Sequence, residues 1–290
     1  MLSYKLEKTL VDHKVRAVDI SPDGQYFATA DFFHLYIWSW KSKENETKLK
    51  FNDYVNAVVF HPIEPLLVVG CGDRILRVID FRTGQIIGQT KFEKAITSLK
   101  FTRDGSFLGI VVDDTVYFLN WNEQTIFPYK TFNQSVEGID FRDKLELGVS
   151  FGNNVQTFFF TADHSGTKFK VGYENQNAYS IAMSRFGPEI AVAAGTTFKV
   201  YDHLDEKFVF EYEANTQVHH INWFDNGKYI AFSSFKGVTI IDGYSYKIVQ
   251  TLEGESGPVF AVSNDGSKVI LGANVNRHSG TTHLWSMRDY

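Results

Sequence analysis

A six-residue pattern, apolar–x–small–apolar–x–apolar, recurs along this chain at a nearly constant spacing, and nothing else in the sequence restricts its fold as strongly. It reads VRAVDI (Val15 to Ile20), VNAVVF (Val55 to Phe60), ITSLKF (Ile96 to Phe101) and VEGIDF (Val136 to Phe141). AYSIAM (Ala178 to Met183), VHHINW (Val218 to Trp223) and GPVFAV (Gly257 to Val262) continue it. The final residues stand at 20, 60, 101, 141, 183, 223 and 262, so the steps are 40, 41, 40, 42, 40 and 39. Self-similarity at such a period marks a repeat architecture.

Each hexapeptide runs into a turn signal: Asp23-Gly24, Asp104-Gly105 and Asp265-Gly266 most plainly, and His61-Pro62, Arg185-Phe186-Gly187 and Asp225-Asn226-Gly227 in weaker form. Asp-Gly and Asn-Gly supply the positive φ that tight hairpins require. A second apolar run follows, such as Gln25–Ala30 or Lys228–Ser233. A third ends in a large residue and then a polar or acidic one: Trp38-Ser39, Ile79-Asp80, Leu119-Asn120, Tyr201-Asp202, Ile241-Asp242 and Trp285-Ser286, with Phe159-Phe160 as the exception. A shorter and more polar fourth run closes the unit, as in Gln85–Phe92. Four short strands per repeat of about forty residues make a propeller blade. No segment keeps a 3.6-residue apolar period, so helix content should be near nil.

The expected fold is therefore all-β, a seven-bladed β-propeller with four antiparallel strands per blade. The seventh repeat has room for three strands only. Residues 2–10 precede the first hexapeptide and match fourth strands elsewhere; compare Tyr4–Leu10 with Tyr246–Leu252. They should complete the last blade and pair an otherwise open edge. The expected blades are 11–51, 52–92, 93–132, 133–173, 174–213, 214–252 and 253–290 with 2–10, in one domain spanning 1–290 without a linker.

The repeat length, the turn after the hexapeptide and the Trp-Asp-like ending resemble the WD-repeat family, over the whole chain. The motifs are degenerate: no repeat holds a literal Trp-Asp pair, and only His13 resembles the family's histidine ahead of the first strand. The family's turn aspartate, six residues before the Trp position, is matched by Asp73 and Asp113. The resemblance thus implies that the polar His–Ser–Asp–Trp network is largely absent. Apolar and aromatic packing should replace it, which suits 26 phenylalanines.

Chemistry-bearing motifs are scarce. P-loop, G-x-G-x-x-G, G-x-S-x-G and His-Glu-x-x-His patterns do not occur; Gly70-Cys71-Gly72 reads as a turn and Gly254-Glu255-Ser256-Gly257 as an inter-blade link. Adjacent His219 and His220 point to opposite faces of a strand and cannot share an ion. His278 and His283 flank a loop without nearby Cys, Asp or Glu. No enzymatic role, cofactor or metal is expected. One cysteine, Cys71, offers no disulfide framework. There is neither a signal-peptide pattern nor a run of about 18 apolar residues, so the expected compartment is the cytosol or nucleus. A net charge of -5 without a basic stripe disfavours nucleic acid as a partner.

Protein or peptide partners remain, and the expected function is that of an interaction scaffold, a subunit or adaptor of a multiprotein assembly in which this chain is monomeric. The alternative is a small-ligand-binding or enzymatic propeller using its channel. In the related family the residue after the first apolar position of each innermost strand faces the channel mouth. Carried over, those positions are Arg16, Asn56, Thr97, Glu137, Tyr179, His219 and Pro258. Arg, Tyr and His make good contact anchors, while the plainer reading is that these side chains solvate the rim. The spacing between Trp-equivalent positions rises to 44 before Trp285. The extra residues include Asn276, Arg277 and His278 in a loop on the same face, a second expected partner site.

Overall fold

A computed structural model of the 290-residue chain describes residues 2–11, 14–142, 146–159, 166–172, 176–254, 259–274 and 280–288. Seven four-stranded antiparallel sheets stand around a central channel. In six of them the strands follow chain order from the channel outward. The innermost strands are Ala17–Ile20, Val55–Phe60, Ile96–Phe101, Val136–Phe141, Ala178–Met183, Val218–Phe224 and Val259–Val262, so the hexapeptide repeat is the channel wall. The one helical turn among the described residues is the three-residue 3-10 segment Asp225–Gly227.

The seventh sheet closes the ring. Its outer strand is Tyr4–Val11, paired antiparallel with Gly280–Met287, the pairing running from Tyr4 with Met287 to Val11 with Thr281. Tyr4 anchors this strand. Its side chain is buried, its hydroxyl donates to the Gly266 carbonyl, and its backbone exchanges hydrogen bonds of 2.8 and 3.1 Å with the Gln250 amide of blade six.

The core is divided among the seven seams between blades. Leu35, Ile37, Val58 and Leu67 fill the seam of blades one and two, and Phe27, Trp38, Trp40 and Leu284 fill that of blades seven and one. Blades three and four meet through Phe118, 5.7 Å from Phe141, with Phe132 on Phe151 at 4.6 Å. Alternate side chains of each sheet thus face opposite neighbours, and every blade is buried on both faces. Of the polar network, Trp38 Nε1 donates to Thr29 Oγ1 at 2.9 Å in blade one. Ile79, Leu119 and Ile241 take the same position in other blades as buried apolar side chains.

The turns have a common chemistry. Gly24, Gly105 and Gly266 adopt φ of 66, 71 and 70°. In each, the aspartate accepts from the hydroxyl two residues before it and from the backbone N–H two residues after, as Asp23 does from Ser21 at 2.6 Å and Gln25 at 2.9 Å. The acidic residue ending a third strand has a different task. Asp80, Asp202 and Asp242 each accept two N–H groups of the following turn. Those donors hold the Asp202 and Asp242 carboxyls below the usual range.

Candidate functional site

The ring has two mouths. Links from each fourth strand into the next blade, and turns between second and third strands, lie on the face called upper here; the remaining turns lie on the lower face. The expected rim residues sit at the upper mouth, and the ladder register explains their exposure. Pairing slips between Val55 and Ala57, Ile96 and Ser98, Val136 and Gly138, Ala178 and Ser180, and Val218 and Ile221. Asn56, Thr97, Glu137, Tyr179 and His219 therefore occupy bulges. A bulged residue has no ladder partner opposite and its side chain is re-aimed, here toward the mouth. Arg16 stands at the corresponding place in blade one, its N–H bonded to the Ala30 carbonyl at 2.8 Å.

These residues divide into groups. Arg16 Nη2 lies 3.4 Å from Asn56 Oδ1, and Asn56 Nδ2 donates to the Ile96 carbonyl at 3.0 Å, so a polar chain crosses from blade one to three. The Arg16 guanidinium also sits 5.4 Å from the Phe32 ring centroid and 5.2 Å from that of Tyr54. Phe32 and Tyr54 meet edge to face at 5.2 Å, with Phe33 5.6 Å from Tyr54. Cation and rings form one exposed patch. Across the mouth, His219 packs edge-on against Phe235 at 5.3 Å, and burial lowers its imidazole pKa. Glu137 and Tyr179 line the channel between these groups, where burial raises the Glu137 carboxyl. Thr97 is exposed and joins neither group.

Phe32, Phe33, Tyr54 and Phe235 were not among the residues expected from the sequence. A signal exists: Phe32-Phe33 and Phe235 fall between second and third strands and Tyr54 just ahead of a hexapeptide, all upper-face positions. His13, Pro258 and the loop residues Asn276, Arg277 and His278 lie outside the described residues.

The turn acids named from the sequence are paired on this face. Asp73 grips Arg77 through two hydrogen bonds of 2.5 and 3.1 Å, and Asp113 accepts from Lys94 at 2.7 Å and Ser135 at 2.9 Å. In blade one Asp31, seven residues ahead of Trp38, takes the same place and accepts from the N–H groups of Phe33 and His34 at 2.7 Å each.

Inside the channel, side chains bridge inner strands of neighbouring blades, which form no ladder with each other. Asp19 accepts from the Phe60 N–H at 2.8 Å, Asp140 from that of Met183 at 2.8 Å, and Ser180 from that of Ile221 at 3.2 Å. Burial pushes the Asp19 carboxyl up to about 6. His220 opens onto the lumen yet is enclosed by the ring, and that enclosure, with His219 beside it, holds its imidazole down to about 4.

The family model described as "WD domain, G-beta repeat" matches residues 4–39 and 45–80. Each match starts on the outermost strand of one blade and ends on the third strand of the next, the offset that closes the ring. Two of the seven repeats thus match WD repeats, within a chain folded as a seven-bladed propeller. A WD repeat-containing protein 91 homolog of Dictyostelium discoideum is 23% identical to it over 192 residues, covering 63% of this chain. The matched stretch amounts to 23% of that relative, so the likeness concerns one part of it. Among the described residues of this propeller, no helix is long and apolar enough to cross a membrane.

Proposed function

We propose that this chain is a rigid interaction scaffold, a subunit or adaptor of a larger assembly, that takes a protein partner at the upper mouth. WD-repeat propellers generally mediate protein–protein interaction. The observation that carries the choice of face is the Arg16 guanidinium set against Phe32 and Tyr54 with Phe33 beside them. Arginine and aromatic side chains dominate binding hot spots, the rings because they offer large contact area with few rotamers to freeze and arginine because its planar fork makes several hydrogen bonds at once. Tyr179 and His219 extend the contact across the channel, and the Asn276–His278 loop is a further proposed contact. The partner is a protein or peptide, the chain is the single copy of itself in that complex, and the compartment is the cytoplasm. In keeping with a reducing compartment, Cys71 is a buried free thiol pushed up to about 12 by burial.

Affinity capture from native lysate, comparing wild type with an Arg16→Ala, Tyr54→Ala, Tyr179→Ala variant, tests this reading. Specific proteins should accompany the wild type and be lost from a variant of unchanged melting temperature. Retention of every partner by the folded variant would move the site off the upper mouth. If nothing accompanies the wild type, the small-ligand reading of the channel takes precedence, and a thermal-shift screen follows.

A further inference from the structure

The lower mouth is built from different material. It opens into a cavity of about 500 Å³ between the turns that follow the inner strands. One wall carries Lys100 and Arg103 from blade three and Arg185 from blade five. Lys100 is committed to Asp140, 3.1 Å away. Among the described residues, neither Arg103 nor Arg185 has an ion pair or hydrogen bond. Burial foremost, then repulsion from Arg103, lowers the pKa of Arg185; the attraction of Asp140, shared with Lys100, offsets this only in part. The carboxylates lining this cavity stand on the opposite wall and have partners of their own: Asp19 the Phe60 N–H, and Asp265 Ser263 and Ser267.

The lower face also shows large apolar side chains, in turns next to the inner strands and in turns farther from the channel. Ile63, Phe186, Leu204 and Tyr244 are 66 to 77% exposed, above every other large hydrophobic side chain described, and all four lie in lower-face turns. The last three belong to neighbouring blades five and six. Phe186 follows Arg185 directly and reaches the blade-six turn at Gly227.

The geometry points to a second docking surface here, for a protein segment that places a Glu or Asp side chain between Arg103 and Arg185 and apolar side chains on Phe186, Leu204 and Tyr244. A carboxylate between two guanidiniums gains charge-assisted hydrogen bonds and removes their repulsion. Phosphodiester chains fit less well, because two arginines in a funnel make no basic stripe and the apolar side chains of blades five and six have no counterpart on a backbone of phosphates. The surface is independent of the upper mouth, which lies at the other end of the channel.

Fluorescence anisotropy with the whole chain tests it, using a short fluorescein-labelled peptide in which two glutamates are flanked by leucine and phenylalanine. The peptide should bind in low salt and weaken as salt rises. Arg103→Glu with Arg185→Glu should lower its affinity at least tenfold, and replacing its glutamates by lysines should abolish binding. Arg16→Ala with Tyr54→Ala should leave the affinity unchanged. Should the double reversal fail to fold, Arg103→Glu alone, on an exposed turn, must weaken binding at least threefold. Equal binding to wild type and folded variants would overturn the assignment. Displacement by millimolar inorganic phosphate alone, or tighter binding of an RNA oligonucleotide than of the peptide, would overturn it too.

Discussion

The two mouths of one channel are made by the same seven repeats, yet they differ in how their charges are held. At the upper mouth Arg16 leans on aromatic rings and Asn56, Asp73 grips Arg77, and Asp113 holds Lys94. At the lower mouth the turn aspartates serve their own backbones, and Arg103 and Arg185 repel each other while Asp140, the anion that acts on Arg185, is paired with Lys100. Apolar exposure follows the same division, 42 to 49% for Phe33, Tyr54 and Phe235 above against 66 to 77% below. The difference arises from strand geometry. A bulge at the start of an inner strand turns one side chain to the upper rim, where links from the previous blade can reach it. A tight turn at the other end satisfies itself within four or five residues, so whatever else it carries projects outward.

The largest expected effect erases the comparison altogether. Deleting residues 1–10 removes the outer strand of blade seven, with Tyr4 and its bonds to Gln250 and Gly266, and bares an edge. The melting temperature should fall by more than about 10 °C, and both mouths should lose their ligands together. An unchanged melting curve would show that closure by this strand is dispensable.

Next comes the turn chemistry that separates the faces. Asp73→Ala strands the buried Arg77 guanidinium and should cost about 3 kcal/mol. Asp104→Ala removes an acceptor from an exposed turn and should cost about 1 kcal/mol. Urea denaturation measures both, and equal losses would mean that the paired upper turns are no more strongly held than the self-capped lower ones.

The finest test lies in the channel wall itself. Asp19 titrates higher in the folded ring than in an unfolded chain, so its contribution to stability is present at low pH and declines as pH rises from about 4 to about 6. His220 titrates lower in the folded ring, so its contribution rises across the window from about 4 to about 6.5. The two oppose each other. Between pH 4.5 and 7, Asp19→Asn should tilt the urea-midpoint profile upward relative to wild type, and His220→Gln should tilt it downward. Parallel profiles for all three proteins would remove both groups from the account.

Much of this molecule is legible in the order of its residues. The hexapeptides at forty-residue intervals specify seven sheets, because each repeat can bury its apolar faces only against copies of itself, and Tyr4–Leu10 reads as a fourth strand in search of a blade. The upper rim is legible in part, since Asn56, Thr97, Glu137, Tyr179 and His219 hold one fixed place in the hexapeptide. Their neighbours are not: Phe32, Phe33 and Tyr54 come to Arg16 from a turn and a link 16, 17 and 38 residues onward, through the pairing of strands and the curvature of the ring. The lower mouth is legible only afterwards. Arg103 and Arg185 both stand two residues past a hexapeptide, like Pro22, Pro62 and Asn264, but two blades and 82 residues separate them. Local pattern determines which residues form strands and turns, since backbone geometry and apolar periodicity act over a few residues. Which charges end as neighbours is decided by ring closure, because only a closed circle of seven blades brings turns from distant repeats around one opening.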